Sequence, residues 1–168
     1  MSISLLLFSV AVVLAFSIIM NSFESENDFQ RLKGDASRIS EYLLSEGTPA
    51  DWNATSVIRP GILSGKRINF TKAYSAMNIT NASYAAIKSN LQTEYDFLVV
   101  FEHKNGTIAS FQDYCAIGND NLVEREFTPA LACKSVNLTG ISYDNMVKLT
   151  RFAAYDSSLV KMTIYMWD

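Results

Sequence analysis

The sequence predicts an α+β fold: a long N-terminal α-helix, hydrophobic and then amphipathic, packed on a small head with an antiparallel β-sheet and short helices. Three observations predict it. Residues 1–20 are apolar on every helical face, and residues 1–23 contain no Asp, Glu, Lys, Arg or His. Beyond them apolar residues continue at helical spacing as far as a Gly and Pro stop. Past that stop the pattern changes to short alternating runs bounded by turn residues, the signature of paired strands. The expected organisation is a hydrophobic helix over 1–23 (membrane span or filament core), its amphipathic continuation over 24–48, and a globular α+β head over 49–168.

The first element spans about 35 Å as a helix, enough for a bilayer. Ile3, Leu6, Leu7, Val10, Val13, Leu14 and Ile18 are its expected filament-core or membrane contacts. Ala11 and Ala15 offer one small-x-x-x-small contact, to which Ser2, Ser9 and Ser17 add. A secretory signal peptide fits poorly: there is no basic n-region and no small-x-small site before the first charges. A signal anchor fits poorly too, because no Lys or Arg marks a cytoplasmic flank. Prior removal of a basic leader accounts for that missing flank. Met1 is then the mature N-terminus, or else an initiator with the leader absent.

The helix continues through Phe29, Leu32, Ala36, Ile39 and Leu43, an i, i+3, i+7, i+10, i+14 stripe expected to pack on the head. Glu24, Glu26, Asp28, Arg31, Lys33, Asp35, Arg38 and Glu41 occupy the other face. Gly34 weakens the helix by about 1 kcal/mol relative to Ala. Gly47 supplies a C-terminal cap and Pro49 prevents continuation, so one helix over about 2–46 is expected.

In the head, Asp51 and Trp52 fall in a loop, and Pro60-Gly61 breaks 56–63 into short extended pieces. Residues 71–77 and 83–91 read as two short helices, with Asn81 a candidate N-cap for the second. Asp96 to His103 is the strongest strand signal. Asn105-Gly106 follows it and predicts a hairpin with Thr107 to Phe111. Residues 146–154 and 159–167 predict a second hairpin around Tyr155-Asp156-Ser157-Ser158. The expected sheet is antiparallel with about four strands. One face covers the helical stripe and the other meets solvent or a neighbouring subunit.

A net charge of -3 argues against nucleic acid as a partner, because phosphate binding needs a basic surface. Cys115 and Cys133, outside a reducing cytosol, read most simply as one disulfide, with two unpaired core thiols as the alternative. Six Asn-x-Ser/Thr sequons, at Asn53, Asn69, Asn78, Asn81, Asn105 and Asn137, all follow the hydrophobic segment, where a translocated head meets glycosylation machinery. The bland reading is an Asn- and Thr-rich surface. His103 is the only histidine, and it precedes an exposed turn. No phosphate-cradling loop, calcium-loop spacing or zinc set accompanies it, so no catalytic residue, metal or cofactor is expected.

A hydrophobic helical N-terminus running into an amphipathic helix and a small head resembles a mature type IV pilin. The resemblance is closest to archaeal pilin-like proteins made with a class III signal peptide. Ser45-Glu46-Gly47-Thr48-Pro49-Ala50-Asp51-Trp52 resembles that group's Gly-x-Pro-x-x-Trp segment. Tyr84-Ala85-Ala86-Ile87-Lys88-Ser89-Asn90-Leu91 resembles its Tyr-x-x-x-Lys-x-x-Leu helix, and Arg151 to Trp167 its closing hairpin. The resemblance implies leader removal by a prepilin peptidase, residence in the membrane before assembly, and self-assembly into a homopolymer by the pilus machinery. The heads would face outward, giving an extracellular cell-surface filament for adhesion or surface attachment. Bacterial pilins usually carry Glu at the fifth mature position. Leu5 stands here, which favours the archaeal reading.

The physics of assembly is separate from the resemblance: the twenty-three N-terminal residues are stable in lipid or beside copies of themselves, but not in water. Burying 2,000 Å² of apolar surface between helices would contribute on the order of 50 kcal/mol against water. Against lipid the gain is far smaller, so extraction calls for a motor. The alternatives are a single-pass membrane-anchored glycoprotein ectodomain and a minor pilin-like priming subunit. An enzyme is the class the sequence supports least.

Overall fold

A computed structural model describes the backbone of residues 2–127 and 131–168, and the side chains of that set except at 2–7, 9–11, 17–25, 127 and 131. Helix α1 runs Ser2–Leu43. Two short strands follow, β1 (Leu63–Ser64) and β2 (Arg67–Ile68), then helices α2 (Phe70–Ala82) and α3 (Tyr84–Leu91). Strands β3 (Asp96–Glu102), β4 (Ala116–Gly118), β5 (Val123–Phe127), β6 (Leu131–Val136), β7 (Met146–Tyr155) and β8 (Ser158–Trp167) complete the chain, with one 3-10 turn at Asp120–Leu122.

Six of the strands form one sheet in the order β1-β2-β7-β8-β3-β4. Its centre is β8, which pairs antiparallel with β7 from Met146↔Trp167 to Tyr155↔Ser158 and with β3 from Asp96↔Trp167 to Glu102↔Lys161. Alternation in Val160 to Trp167 explains the choice of strand: Val160, Met162, Ile164 and Met166 fall on one buried face. On the same face lie Phe97, Val99 and Phe101 of β3, and against it pack Leu32, Ala36, Ile39 and Leu43 of α1. The opposite face carries a second apolar cluster of Leu98, Val100, Trp167, Ile108, Val123 and Cys133.

The expected fold class is corrected by this arrangement. A six-stranded mixed sheet dominates the body, in place of a small head with about four antiparallel strands serving a long helix. The buried side chains described for α1 lie between Leu32 and Leu43. Among the described side chains of α1, that dozen, about 18 Å of helix, is the part in the packed body. The sheet is not wholly antiparallel, because β2 joins β7 in parallel at Arg67↔Ala154. Among the described residues no helix is long and apolar enough to cross a membrane. The membrane span expected over 1–23 is corrected to that extent, most of its side chains lying outside the described residues.

Smaller expectations also change. The Asn105-Gly106 turn forms, with His103 N donating to Thr107 O at 2.8 Å and Ala109 N to Phe101 O at 2.6 Å, but 107–111 is no strand: it meets β3 through the isolated bridge Glu102↔Ile108, and Phe111 bridges Tyr114. Phe111 turns inward, with its ring 5.6 Å from Phe101 and 5.4 Å from Tyr155, and β4 takes the remaining edge of β3. Asn81 does not cap α3; it lies inside α2. Ser83, extended at φ -160 and ψ 105, is the cap, its hydroxyl oxygen accepting Ala86 N at 3.2 Å. The segment around Glu124 and Glu126 forms a separate two-stranded ribbon, β5 with β6.

The chain leaving α1 is strapped to the body at one point. Ile62 N donates to Leu43 O at 2.8 Å, Leu63 N to Ser45 O at 2.9 Å, and Thr48 N to Arg59 O at 2.8 Å. Gly47 takes φ +81, which an L side chain adopts only with strain. Trp52 packs on it, and its indole N–H donates to Gly61 O at 2.8 Å. Lys72 reaches the same knot, its Nζ donating to Glu46 O and Leu63 O.

Candidate assembly surface

The two acids of the β5–β6 ribbon are tied to structural partners. Glu124 accepts from Ser135 Oγ and Asn137 Nδ2, and Glu126 pairs with Lys134 at 3.0 Å across the β5–β6 ribbon. His103 is half-buried at the end of β3, beside a groove of about 630 Å³ lined by Glu102, Lys104, Phe152, Leu159 and Lys161. Among the described residues no three His, Cys, Asp or Glu side chains converge to hold a metal ion.

The apolar surface of α1 is the most unusual feature. Of the expected filament-core residues, Val13 and Leu14 are described; Ile3, Leu6, Leu7, Val10 and Ile18 lie outside the described side chains. Val13 is 63% and Leu14 59% exposed, and their neighbours Phe8, Val12 and Phe16 are 70%, 49% and 64% exposed. Residues 12–16 are five in succession and all exposed. At 100° per residue they point in every direction round the axis. A stretch of helix apolar on all sides is one that other apolar matter must surround.

The helix–head stripe is built largely as expected. Leu32, Ala36, Ile39 and Leu43 are fully buried against β7 and β8. Phe29 is the exception: it is 39% exposed and outside the core, because every side chain from Glu26 to Arg31 is exposed where α1 has left the sheet. Sequence reasoning missed the polar rivet beside that stripe. Arg38 donates to the carbonyls of Leu91 and Gln92 at 2.8 Å each, placing a cation at the C-terminus of α3. It also pairs with Asp35 at 2.8 Å, and Asp35 accepts Thr93 Oγ1 at 3.0 Å. Partial burial disfavours the Arg38 charge, but Asp35 and Tyr42 more than offset it and raise the guanidinium above its ordinary value.

The motifs that carry the resemblance have structural work in this fold. Gly47 and Trp52 form the knot after α1. Tyr84 O–H donates to Phe97 O and accepts Phe97 N at 2.8 Å, locking α3 to the start of β3. Burial, partly opposed by the Phe97 backbone and aided by Asp96, pushes its phenol well above the usual tyrosine range. Lys88 sits 5.6 Å from the Tyr84 ring and pairs with Asp96 at 3.0 Å, and Leu91 is fully buried.

Cys115 and Cys133 form a disulfide, with Cα atoms 5.7 Å apart, and it joins the β5–β6 ribbon to the segment entering β4. The sequons divide by position: Asn53, Asn105 and Asn137 are exposed in loops, Asn69 is the N-cap of α2, and Asn78 and Asn81 lie within α2. The outer face of the β7–β8 hairpin leaves Phe152 and Leu159 exposed. Searches for related proteins found no match to this chain among family models, curated proteins or solved structures.

Proposed function

We propose that this chain is a structural subunit of an extracellular filament resembling archaeal type IV pili, polymerising through the apolar part of α1. The observation that carries the reading is the all-round exposed apolar surface at 12–16. Copies of the same helix are the cover that satisfies every side at once, since each buries its neighbours' apolar side chains. Before assembly these side chains need another apolar cover, for which the resemblance implies the membrane. The knot, α3 and the closing hairpin form a rigid outward-facing body. The exposed loop sequons accord with a glycosylated head, and the Phe152–Leu159 face with a role in adhesion or contact between heads.

The alternatives are an anchored ectodomain that never polymerises and a minor subunit that primes a filament. Electron microscopy of cells lacking the gene separates them. Loss of filaments, restored by the wild-type chain and not by Leu14→Lys, supports the structural subunit. Unchanged filaments would refute it, and shorter or fewer filaments of unchanged composition would indicate a priming role.

A further inference from the structure

We propose that Asn53, Asn105 and Asn137 are the N-glycosylated positions of the head and that Asn69, Asn78 and Asn81 stay bare, an inference resting on the extracellular placement of the head proposed above.

The three loop sequons share one geometry. In each, the carboxamide oxygen of Asn accepts two hydrogen bonds from the Thr two residues on. Thr55 N and Oγ1 lie 2.9 and 2.7 Å from Asn53 Oδ1. Thr107 N and Oγ1 lie 3.1 and 2.8 Å from Asn105 Oδ1. Thr139 N and Oγ1 lie 3.1 and 2.6 Å from Asn137 Oδ1. Donation into the carbonyl makes the amide N–H more acidic, so that a base removing this proton leaves the imidate, whose nitrogen is nucleophilic. All six of these Asn and Thr residues are exposed. The Asn137 nitrogen additionally donates to Glu124 Oε1 at 3.2 Å, a carboxylate placed to draw on an amide proton.

The other three sequons are spent on α2. Asn78 and Thr80 are both inside α2, where residues i and i+2 do not face each other, so the Thr80 hydroxyl cannot reach the Asn78 carboxamide. Asn69 uses its oxygen to cap Lys72 N and its nitrogen to donate to Ser64 Oγ. Asn78 accepts from Tyr114 O–H, while buried Thr80 donates to Ala76 O. Ser83, the partner of Asn81, has its hydroxyl engaged as the cap of α3. In none of the three does the hydroxyl two residues on bond to the Asn carboxamide.

The co-substrate is a lipid-linked oligosaccharide phosphate. The Asn nitrogen attacks the anomeric carbon, forming a C–N bond. The bond from that carbon to the phosphate oxygen breaks, its electron pair leaves on the lipid phosphate, and the amide proton passes to a base on the transferase.

Glycopeptide mass spectrometry of the protein purified from its native cells tests the assignment. Glycan mass is expected on the peptides carrying Asn53, Asn105 and Asn137 and on no other sequon. Thr55→Ala, Thr107→Ala and Thr139→Ala each remove one glycan, and the matching Thr→Ser variants keep it. Asn69→Gln, Asn78→Gln and Asn81→Gln leave total glycan mass unchanged. Bare loop sequons, or glycan on any α2 sequon, would overturn the proposal. Occupied loop sequons on a chain that forms no filament would leave this inference standing and remove the filament reading. Bare sequons in an assembled filament would do the reverse.

Discussion

Gly61→Ala is expected to be among the most damaging single-methyl changes in the head. A Cβ at Gly61 would lie 2.5 Å from Ser45 O and 2.7 Å from Gly47 Cα, and closer still to Gly47 N. All three are backbone atoms, so no side chain can swing aside. Ordinary contact needs the two segments to part by about 1 Å, because carbon atoms settle at roughly 3.5–4.0 Å. The segments are held by the bonds from Ile62 N to Leu43 O, Leu63 N to Ser45 O and Thr48 N to Arg59 O, all between 2.8 and 2.9 Å. Parting them stretches these beyond useful length. Three net hydrogen bonds at about 1 kcal/mol each give a loss of about 3 kcal/mol, before any loosening of Trp52. The control is Gly34→Ala: nothing lies within 4 Å of its Cβ, and the site is an exposed helix interior. That change is expected to stabilise by up to about 1 kcal/mol. Thermal and urea unfolding of the full chain in detergent micelles, followed by Trp fluorescence, measures both. Trp52 and Trp167 are both 4% exposed and report on the body. Gly61→Ala should lower Tm by roughly 10 °C. A variant melting within about 2 °C of wild type would refute the reasoning.

Four further outcomes are expected. Tyr84→Phe leaves Phe97 N–H without its partner and should cost about 1–3 kcal/mol in urea unfolding. Because burial raises the Tyr84 phenol, its contribution is intact below about pH 10 and is lost as pH rises through the folded value. The variant's alkaline stability profile should therefore be flatter than wild type, and an identical slope would count against the buried phenol. The double variant Cys115→Ala, Cys133→Ala opens a loop with a sequence separation of 18, worth about 3 kcal/mol by chain entropy. Dithiothreitol should lower the wild-type Tm by a similar amount and leave the variant unchanged. Leu43→Ala should cost about 2–5 kcal/mol as a cavity in the core. Phe29→Ala, outside the core, should fall well short of that, and equal losses would place the helix–sheet contact wrongly.

What was legible in the sequence was whatever burial wrote as a long periodic pattern. The Leu32–Leu43 stripe, β3 and the β7–β8 hairpin each repeat one face often enough to be read. Phe29 fits the same period but lies a turn beyond the sheet, and periodicity cannot say where the partner surface ends. Strands β1, β2 and β4 have two, two and three residues. They are strands only because a longer neighbour offers an edge. The parallel β2–β7 pairing rests on one register contact and a side-chain bond from Arg67 to Asp156 O, neither with a local signal. Asn81 and Ser83 are both acceptable caps by residue type, and the kink between α2 and α3 chose Ser83. At the sequons the motif gave six positions of equal standing. The hydroxyl-to-carboxamide bonds that divide them depend on loop conformation, which three-residue patterns do not encode.

The place of β8 in the sheet has a kinetic consequence. The middle strand is the last in chain order, so β3, paired early only with the three-residue β4, gains its long partner more than fifty residues later. Non-local pairing of this kind is slow, because the loop must close before any contact rewards it. Until β8 arrives, the strand carrying Phe97, Val99 and Phe101 has only the short β4 beside it. A nascent head therefore passes through a window in which its apolar strand faces are open to chaperones and proteases.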